Sequence, residues 1–388
     1  MALPERLKFG IFLAPFHWSG ENPTMSLQRD MELIQLLDTL DFDEAWVGEH
    51  HSAGWETISS PELFIAAVSE RTKNIRLGTG VVSLPYHHPL MVANRMVLLD
   101  HMTRGRAMFG VGPGALISDA YMMGINPVEQ RRRMDESLGI IMRLFTETEP
   151  ITYDGEWFTL KDASLHLRPY TKPHMPVAVA AAQSPSGLVL AGKHGTGVLS
   201  MSVARGDSQK APLREFWDIA EETAAEHEQT VRRDEWRLVL HVHIAENRTD
   251  AIEQARVRAG RYQREYFEET LGNDSGFRGH RDEIIDHMME TDQWCVGDPD
   301  DLINTIHRLD DQSGGFGGLM IQATEWGTRD QVFNSYELIS RYVMPHFQGS
   351  LVGIRNSQTW SAEHKEELQK LRKSSMARAK SDYTDKSR

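Results

Sequence analysis

Cysteine is nearly absent: Cys295 is the only one in 388 residues. That excludes an intramolecular disulfide and any cysteine-built zinc site, and it suits a reducing cytoplasm. Basic residues are outnumbered, 42 Lys and Arg against 56 Asp and Glu, for a formal net charge of −14. Binding nucleic acid through its phosphates needs clustered Lys and Arg, so nucleic acid is not an expected partner. No apolar run approaches the ~20 residues of a membrane-spanning helix, and residues 1–8 carry neither the apolar core nor the small-residue cleavage site of a signal peptide. A cytoplasmic protein with no membrane partner is expected. Also missing is a G-x-G-x-x-G after the first strand-like run, which counts against an open doubly wound sheet.

What is present is a regular alternation. Strand-like apolar runs at residues 7–12, 45–48, 75–84, 106–111, 176–182, 197–202, 237–245 and 317–323 are each followed by a helical pattern. The first such helix carries Leu27, Met31, Ile34, Leu37 and Leu40 at a helical period, and another carries Met134, Leu138, Ile141 and Phe145 on one face. Parallel strands need crossover helices and favour closure. Eight alternations therefore predict an α/β fold, a (β/α)8 barrel, over residues 1–349. Insertions are expected near 115–130 (loop), 151–170 (a hairpin turning at Asp154-Gly155) and 271–295 (polar and Gly-rich, a candidate lid). Residues 350–388 read as a charged C-terminal extension with a short helical pattern at Leu368 and Leu371 and a frayed end. Rows such as Met91/Met96 and Trp217/Trp236 read as core packing.

In a barrel the functional groups gather at the C-terminal strand ends. These ends hold His17 and Trp18, then Glu49-His50-His51, then Tyr86-His87-His88-Pro89, then the Gly112-Pro113-Gly114 turn. The rim is rich in His, Trp and small residues. A metal site is one reading, but adjacent histidines on extended chain point to opposite faces, and no ligand set of recognised spacing accompanies them; no metal is expected. The other reading is an aromatic cofactor served by an imidazole whose ordinary pKa lies near neutrality. The plain alternative, that these histidines only cap strand ends, holds for His51 and His87 but not for His50. Arg131-Arg132-Arg133 opens a helix, and Ser184-Pro185-Ser186-Gly187 lies between the fifth strand and its helix. Hydroxyls, a helix N-terminus and an arginine suit a phosphate, with two of the three arginines read as a solvated face.

Several of these motifs belong to a pattern. Lys8-Phe9-Gly10-Ile11-Phe12, Glu49-His50-His51, the run 77–85 with His88-Pro89, the run 99–106 and Val343-Met344-Pro345-His346 resemble the bacterial luciferase-like flavin monooxygenases, in order over residues 7–347. Within that superfamily the chain is similar to the limonene 1,2-monooxygenase-like and alkanal monooxygenase-like group. The resemblance implies a luciferase-like barrel that uses reduced FMN from a separate flavin reductase. It implies O2 addition at the flavin C4a and oxygenation of a small, largely apolar substrate (an aldehyde, ketone or terpene) by the resulting peroxyflavin. By motif position His50 is the expected catalytic residue, with Glu49 beside the flavin. Gly80-Val81 matches a segment that carries a non-prolyl cis peptide under the flavin, and Arg131, Gln183, Ser184 and Gly187 match phosphate-binding positions. Substrate determinants are expected at Phe16, Trp18, Trp55, His88 and Tyr121, and a homodimer or homotetramer is the usual assembly.

The chain departs from the luciferase pattern after the fourth strand. Gly112 stands where the light-emitting subunit has a reactive cysteine, and Pro113 stands in place of a phosphate-binding arginine, which puts more weight on Arg131. Two rival functions share the barrel: deazaflavin (F420)-dependent hydride transfer, and a non-catalytic flavin-binding partner subunit, against which the retention of His50 speaks.

Overall fold

The computed structural model describes residues 3–14, 16–181, 185–202, 213–273 and 275–386. Its strands are β1 (Lys8–Leu13), β2 (Glu44–Val47), β3 (Arg76–Ser83), β4 (Ala107–Gly112), β5 (Ile151–Asp154), β6 (Thr159–Ala163), β7 (Val177–Ala181), β8 (Gly197–Met201), β9 (Trp236–Ile244), β10 (Trp294–Gly297) and β11 (Gly318–Gln322). Eight of them close a parallel barrel in the order β1-β2-β3-β4-β7-β8-β9-β11, with β11 returning to β1. This is the expected (β/α)8 architecture. The remaining strands are the antiparallel hairpin β5-β6 and β10, which pairs in parallel with the second half of β9, His241 to Ile244, after the first half has paired with β11.

The barrel interior is filled by side chains from strands all around the ring: Phe12, Trp46, Met108, Ala178, Leu199, Val239 and Met320. Trp46 is the largest, and β3 makes room for it. A Cβ on Gly78 would lie 2.6 Å from the Trp46 ring, and one on Gly110 would lie 2.0 Å from the Thr79 carbonyl oxygen. At the N-terminal end of the barrel, Arg237 donates to the Glu44 carboxylate through Nε (2.7 Å) and Nη2 (2.9 Å), and the Trp46 indole donates to the same group at 2.9 Å. Burial of the Glu44 carboxylate is outweighed by Arg237, and its pKa falls to about 2. A second core lies between the barrel and its helices. The helix Gln130–Thr146 buries Met134, Leu138, Ile141 and Phe145 there, the face its spacing predicts.

Four expectations change. Residues 115–130 contain a helix, Ile117–Met122, and a 3-10 turn, Pro127–Glu129. Only part of 271–295 is loop: Ile284, Ile285 and Met288 are buried on the helix Ile284–Glu290, and Trp294 opens β10. Their apolar side chains pack under the barrel mouth, a burial that the polar stretch before them conceals in the sequence. The extension does not fray early, because residues 354–386 contain no Gly or Pro; helices Val352–Glu363 and Lys365–Lys386 run through it, exposed over residues 352–363 and 365–385. Met91 faces solvent whereas Met96 is buried, and Trp217 stacks on Trp236 at 5.0 Å as expected. Among the described residues no helix is long and apolar enough to cross a membrane.

Candidate active site

β2 ends at Val47 and the chain leaves the barrel mouth through Gly48, whose N–H donates to the Leu13 carbonyl at 2.9 Å. Along the extended segment that follows, successive side chains alternate in direction, and the histidine pair separates accordingly. His50 meets two carboxylates: its Nε2 lies 2.5 Å from Glu56 Oε2 and its Nδ1 lies 3.5 Å from Asp119 Oδ2. Asp119, on the helix Ile117–Met122, also accepts from the His51 backbone N–H at 3.1 Å and from the Ser52 hydroxyl. Burial opposes charge on the His50 ring, which is 14% exposed, but Glu56 and then Asp119 outweigh it and push its pKa up to about 10. Burial likewise raises the Glu56 carboxyl, and His50 and the Tyr266 hydroxyl bring it below the ordinary range. The sequence suggests an imidazole titrating near neutrality; the fold instead holds an imidazolium.

His51 turns to Glu49. The buried Glu49 carboxylate accepts from His51 Nε2 at 2.7 Å and His87 Nε2 at 2.6 Å through Oε1, and from the Ser83 backbone N–H at 2.7 Å through Oε2. Burial pushes its pKa up, but these donors pull it below the usual carboxylate range. Among the described residues Glu49, His51 and His87 form the group with metal-ligating atoms near one another. They stand at hydrogen-bond spacing, whereas ligands around one tetrahedral ion, bound at about 2.0–2.2 Å, sit roughly 3.3 Å apart. The cluster ties the ends of β2 and β3 together, and both Glu49 oxygens are engaged in doing so.

Across the mouth, Arg131 donates from Nε to the Ser186 hydroxyl at 3.0 Å. Ser186 opens the helix Ser186–His194, and a Cβ on Gly187 would lie 2.5 Å from the Ala180 carbonyl oxygen, so the helix start presses on the end of β7. Arg132 pairs with Glu156 at 2.8 Å and Arg133 with Glu129 at 2.8 Å, which singles out Arg131 as the arginine at this helix start. Gln183 and Ser184 lie outside the described residues. The Gly80–Val81 peptide is cis, and Val81 packs against Gly112 so closely that a Cβ there would lie 2.5 Å from Val81 Cγ2.

The third part of the mouth is aromatic. Phe16 contacts Trp18 (ring centroids 5.0 Å), Trp55 (5.5 Å), Tyr262 (4.7 Å) and Tyr266 (5.6 Å). Tyr262 reaches Trp326 at 6.0 Å, and Trp326 stacks on His241 at 5.9 Å. The tyrosines come from a π-helical segment, Tyr262–Thr270, so the cover over the mouth lies just before the stretch expected to be a lid. It is joined to the His50 loop, since the Trp55 indole donates to Thr270 Oγ1 at 3.0 Å and Tyr266 donates to Glu56. Phe16, Trp18 and Trp55 thus come together. His88 does not join them: it is exposed and meets Phe158 at 5.9 Å. Tyr121 is 83% exposed.

The family described as luciferase-like monooxygenase matches residues 7–314. The chain belongs to the luciferase-like monooxygenase family. It is 46% identical over 360 residues to 4-hydroxyprotoasukamycin monooxygenase of Streptomyces nodosus subsp. asukaensis, covering 92% of this chain and 97% of that one. It is 44% identical over 349 residues to limonene 1,2-monooxygenase of Rhodococcus erythropolis, covering 89% and 88%. Among solved structures, the oxygenating constituent of 3,6-diketocamphane monooxygenase from Pseudomonas putida, a type II Baeyer-Villiger enzyme in complex with FMN, superposes with a TM-score of 0.71 at 24% identity, covering 89% and 99%.

The chain is therefore a monooxygenase, and its mouth contains groups that strand-end reasoning passed over. Glu56 and Asp119 are the carboxylates that charge His50; the sequence signal available was a glutamate shortly after Trp55 in the same loop. Tyr262 and Tyr266, at helical spacing in a polar helix, were the available signal for the cover of this monooxygenase.

Proposed function

We propose that this monooxygenase is the oxygenase component of a two-component flavin system, taking reduced FMN from a separate reductase and oxygenating a small, largely apolar substrate. The observation that carries the reading is His50, paired with Glu56 and kept as an imidazolium beside a buried aromatic cluster at the C-terminal mouth of the barrel. The residues fit the cofactor. Arg131, the Ser186 hydroxyl and the start of the helix Ser186–His194 form a donor set for a phosphate, the usual anion site at a helix N-terminus. The FMN in the Pseudomonas putida relative supports the choice of flavin.

Reduced flavin, when bound, supplies the electrons with which one atom of O2 enters the substrate and the other leaves as water. The chain's own residues do the rest. His50 holds a proton on a ring whose nitrogens face Glu56 and Asp119, and it is the donor for oxygen chemistry at the mouth. Glu56 and Asp119 keep that proton in place through neutral pH. Phe16, Trp18, Trp55, Tyr262 and Tyr266 exclude water, which strengthens every electrostatic contact inside. The protein supplied with a flavin reductase, NADH, FMN and O2 is expected to form an oxygenated product from a cyclic terpene or ketone panel. Absence of product there, or turnover with reduced F420 in place of FMN, overturns the reading.

A further inference from the structure

Two indole N–H groups in the aromatic cluster lack an acceptor among the described residues. Trp18 Nε1 and Trp326 Nε1 are both buried and have no hydrogen-bond partner among the described residues. Trp18 is 6% exposed and Trp326 is 0% exposed. A buried indole N–H ordinarily finds an acceptor, and leaving one unmatched costs about 1–3 kcal/mol. Another indole of the cluster follows the rule, since Trp55 donates to Thr270. Trp18 and Trp326 are linked through rings only, by Phe16 and Tyr262.

The surroundings constrain what can supply the missing acceptors. Two ring pairs of the cluster are stacked, Trp55 on Phe16 within 18° and Trp326 on His241 within 12°, whereas Trp18 and Tyr262 meet Phe16 edge-on at 87° and 74°. Cations near the cluster are already matched. Arg261 sits over the Trp18 ring at 4.5 Å but is held bidentate by Glu265 at 2.8 and 2.9 Å, and His50 is paired in charge with Glu56 and Asp119, although its Nδ1 makes no hydrogen bond among the described residues. A carboxylate or phosphate ligand finds Arg261 and His50 already paired with carboxylates, whereas a neutral ring finds aromatic side chains and two donors.

We propose that the substrate is a neutral, planar ring compound carrying a conjugated carbonyl oxygen, stacked in this cluster with Trp18 and Trp326 donating to its oxygen atoms. The inference rests on the oxygenase reading and narrows it, separating this chain's substrate from a plain hydrocarbon. The ring takes over contacts now made by the side chains of Tyr262–Thr270. The shared chemistry, a flat ring with carbonyl acceptors, also describes the flavin, and the test separates the two.

The probes are 1-tetralone and tetralin, the same skeleton with and without a conjugated carbonyl, measured by equilibrium dialysis against the full chain. Wild-type protein binds 1-tetralone about 10-fold or more tighter than tetralin, one to two neutral hydrogen bonds' worth. Trp18→Phe and Trp326→Phe keep a ring and remove the N–H. Each lowers 1-tetralone affinity about 5- to 10-fold and leaves tetralin within about 2-fold. The wild-type pair needs no variant, so a poorly folding Trp326→Phe does not rescue the idea. Equal wild-type affinity for the two probes overturns it, as does a parallel loss of both probes in the variants. A loss of FMN affinity in the variants with 1-tetralone binding intact also overturns it, since the donors then serve the cofactor. The oxygenase reading fails separately, by absence of oxygenated product from any substrate with reductase, FMN and O2.

Discussion

Glu56 folds back on His50 within one loop, its Oε2 2.5 Å from the imidazole Nε2, and the same carboxylate accepts from Tyr266 of the segment covering the mouth. One buried group therefore sets the charge of the candidate catalytic histidine and anchors the cover above it.

His50→Ala removes the proton donor while leaving the barrel core untouched. Product formation with supplied reduced FMN is expected to fall about 10²- to 10⁴-fold, the usual worth of a positioned acid, with flavin oxidation continuing as hydrogen peroxide release. Retention of full oxygenation refutes the assignment.

Glu56→Gln tests the charge relation through pH. His50 titrates at about 10 in the fold against about 6.5 in an unfolded chain. Its contribution to stability is complete below the unfolded value and disappears as pH rises through 10. Glu56, held below its ordinary value, contributes above about 4.3 and loses that as pH falls through its folded value. In the variant the alkaline limb of the kcat/KM profile is expected to move toward neutrality by about 1–3 units, the effect of removing one close opposite charge. An unmoved limb contradicts it.

Arg131→Ala is expected to weaken FMN binding about 10- to 100-fold, the worth of a charged hydrogen bond to phosphate. Riboflavin, which has no phosphate, serves as the control in the same fluorescence titration. Equal losses for both flavins point away from a phosphate contact.

Glu44→Gln leaves the buried Arg237 with the Glu235 carboxylate, 2.9 Å from its Nη2, as its remaining anionic partner. Removing one member of such a pair costs about 3–5 kcal/mol, read as a lower denaturation midpoint, and the paired change Glu44→Gln with Arg237→Met costs less than the two singles together. Gly110→Ala, whose Cβ meets the Thr79 carbonyl, is expected to destabilise by at least the ~1–3 kcal/mol of core overpacking.

Removal of residues 350–388 is expected to leave the thermal midpoint and activity unchanged, because the side chains of residues 352–363 and 365–385 are all exposed. A large loss shows that the extension is part of the folded unit.

By itself the amino-acid sequence determined the barrel, its eight strand positions and the isolation of His50 at a strand end, because these follow from local periodicity and from which residues stop a strand. It also carried the single cysteine and the acidic balance directly. What only the tertiary structure decided was how those ends meet. Glu49 and His87, far apart along the chain, join through one hydrogen bond; Trp55 is capped by Thr270; Asp119 reaches His50 from another loop. The protonation of His50 belongs to this second class, since a side chain's pKa is set by the charges and burial around it and not by its neighbours in sequence. So does the pairing of Trp18 with Trp326 as unmatched donors, because a polar group lacks a partner only with respect to everything packed around it.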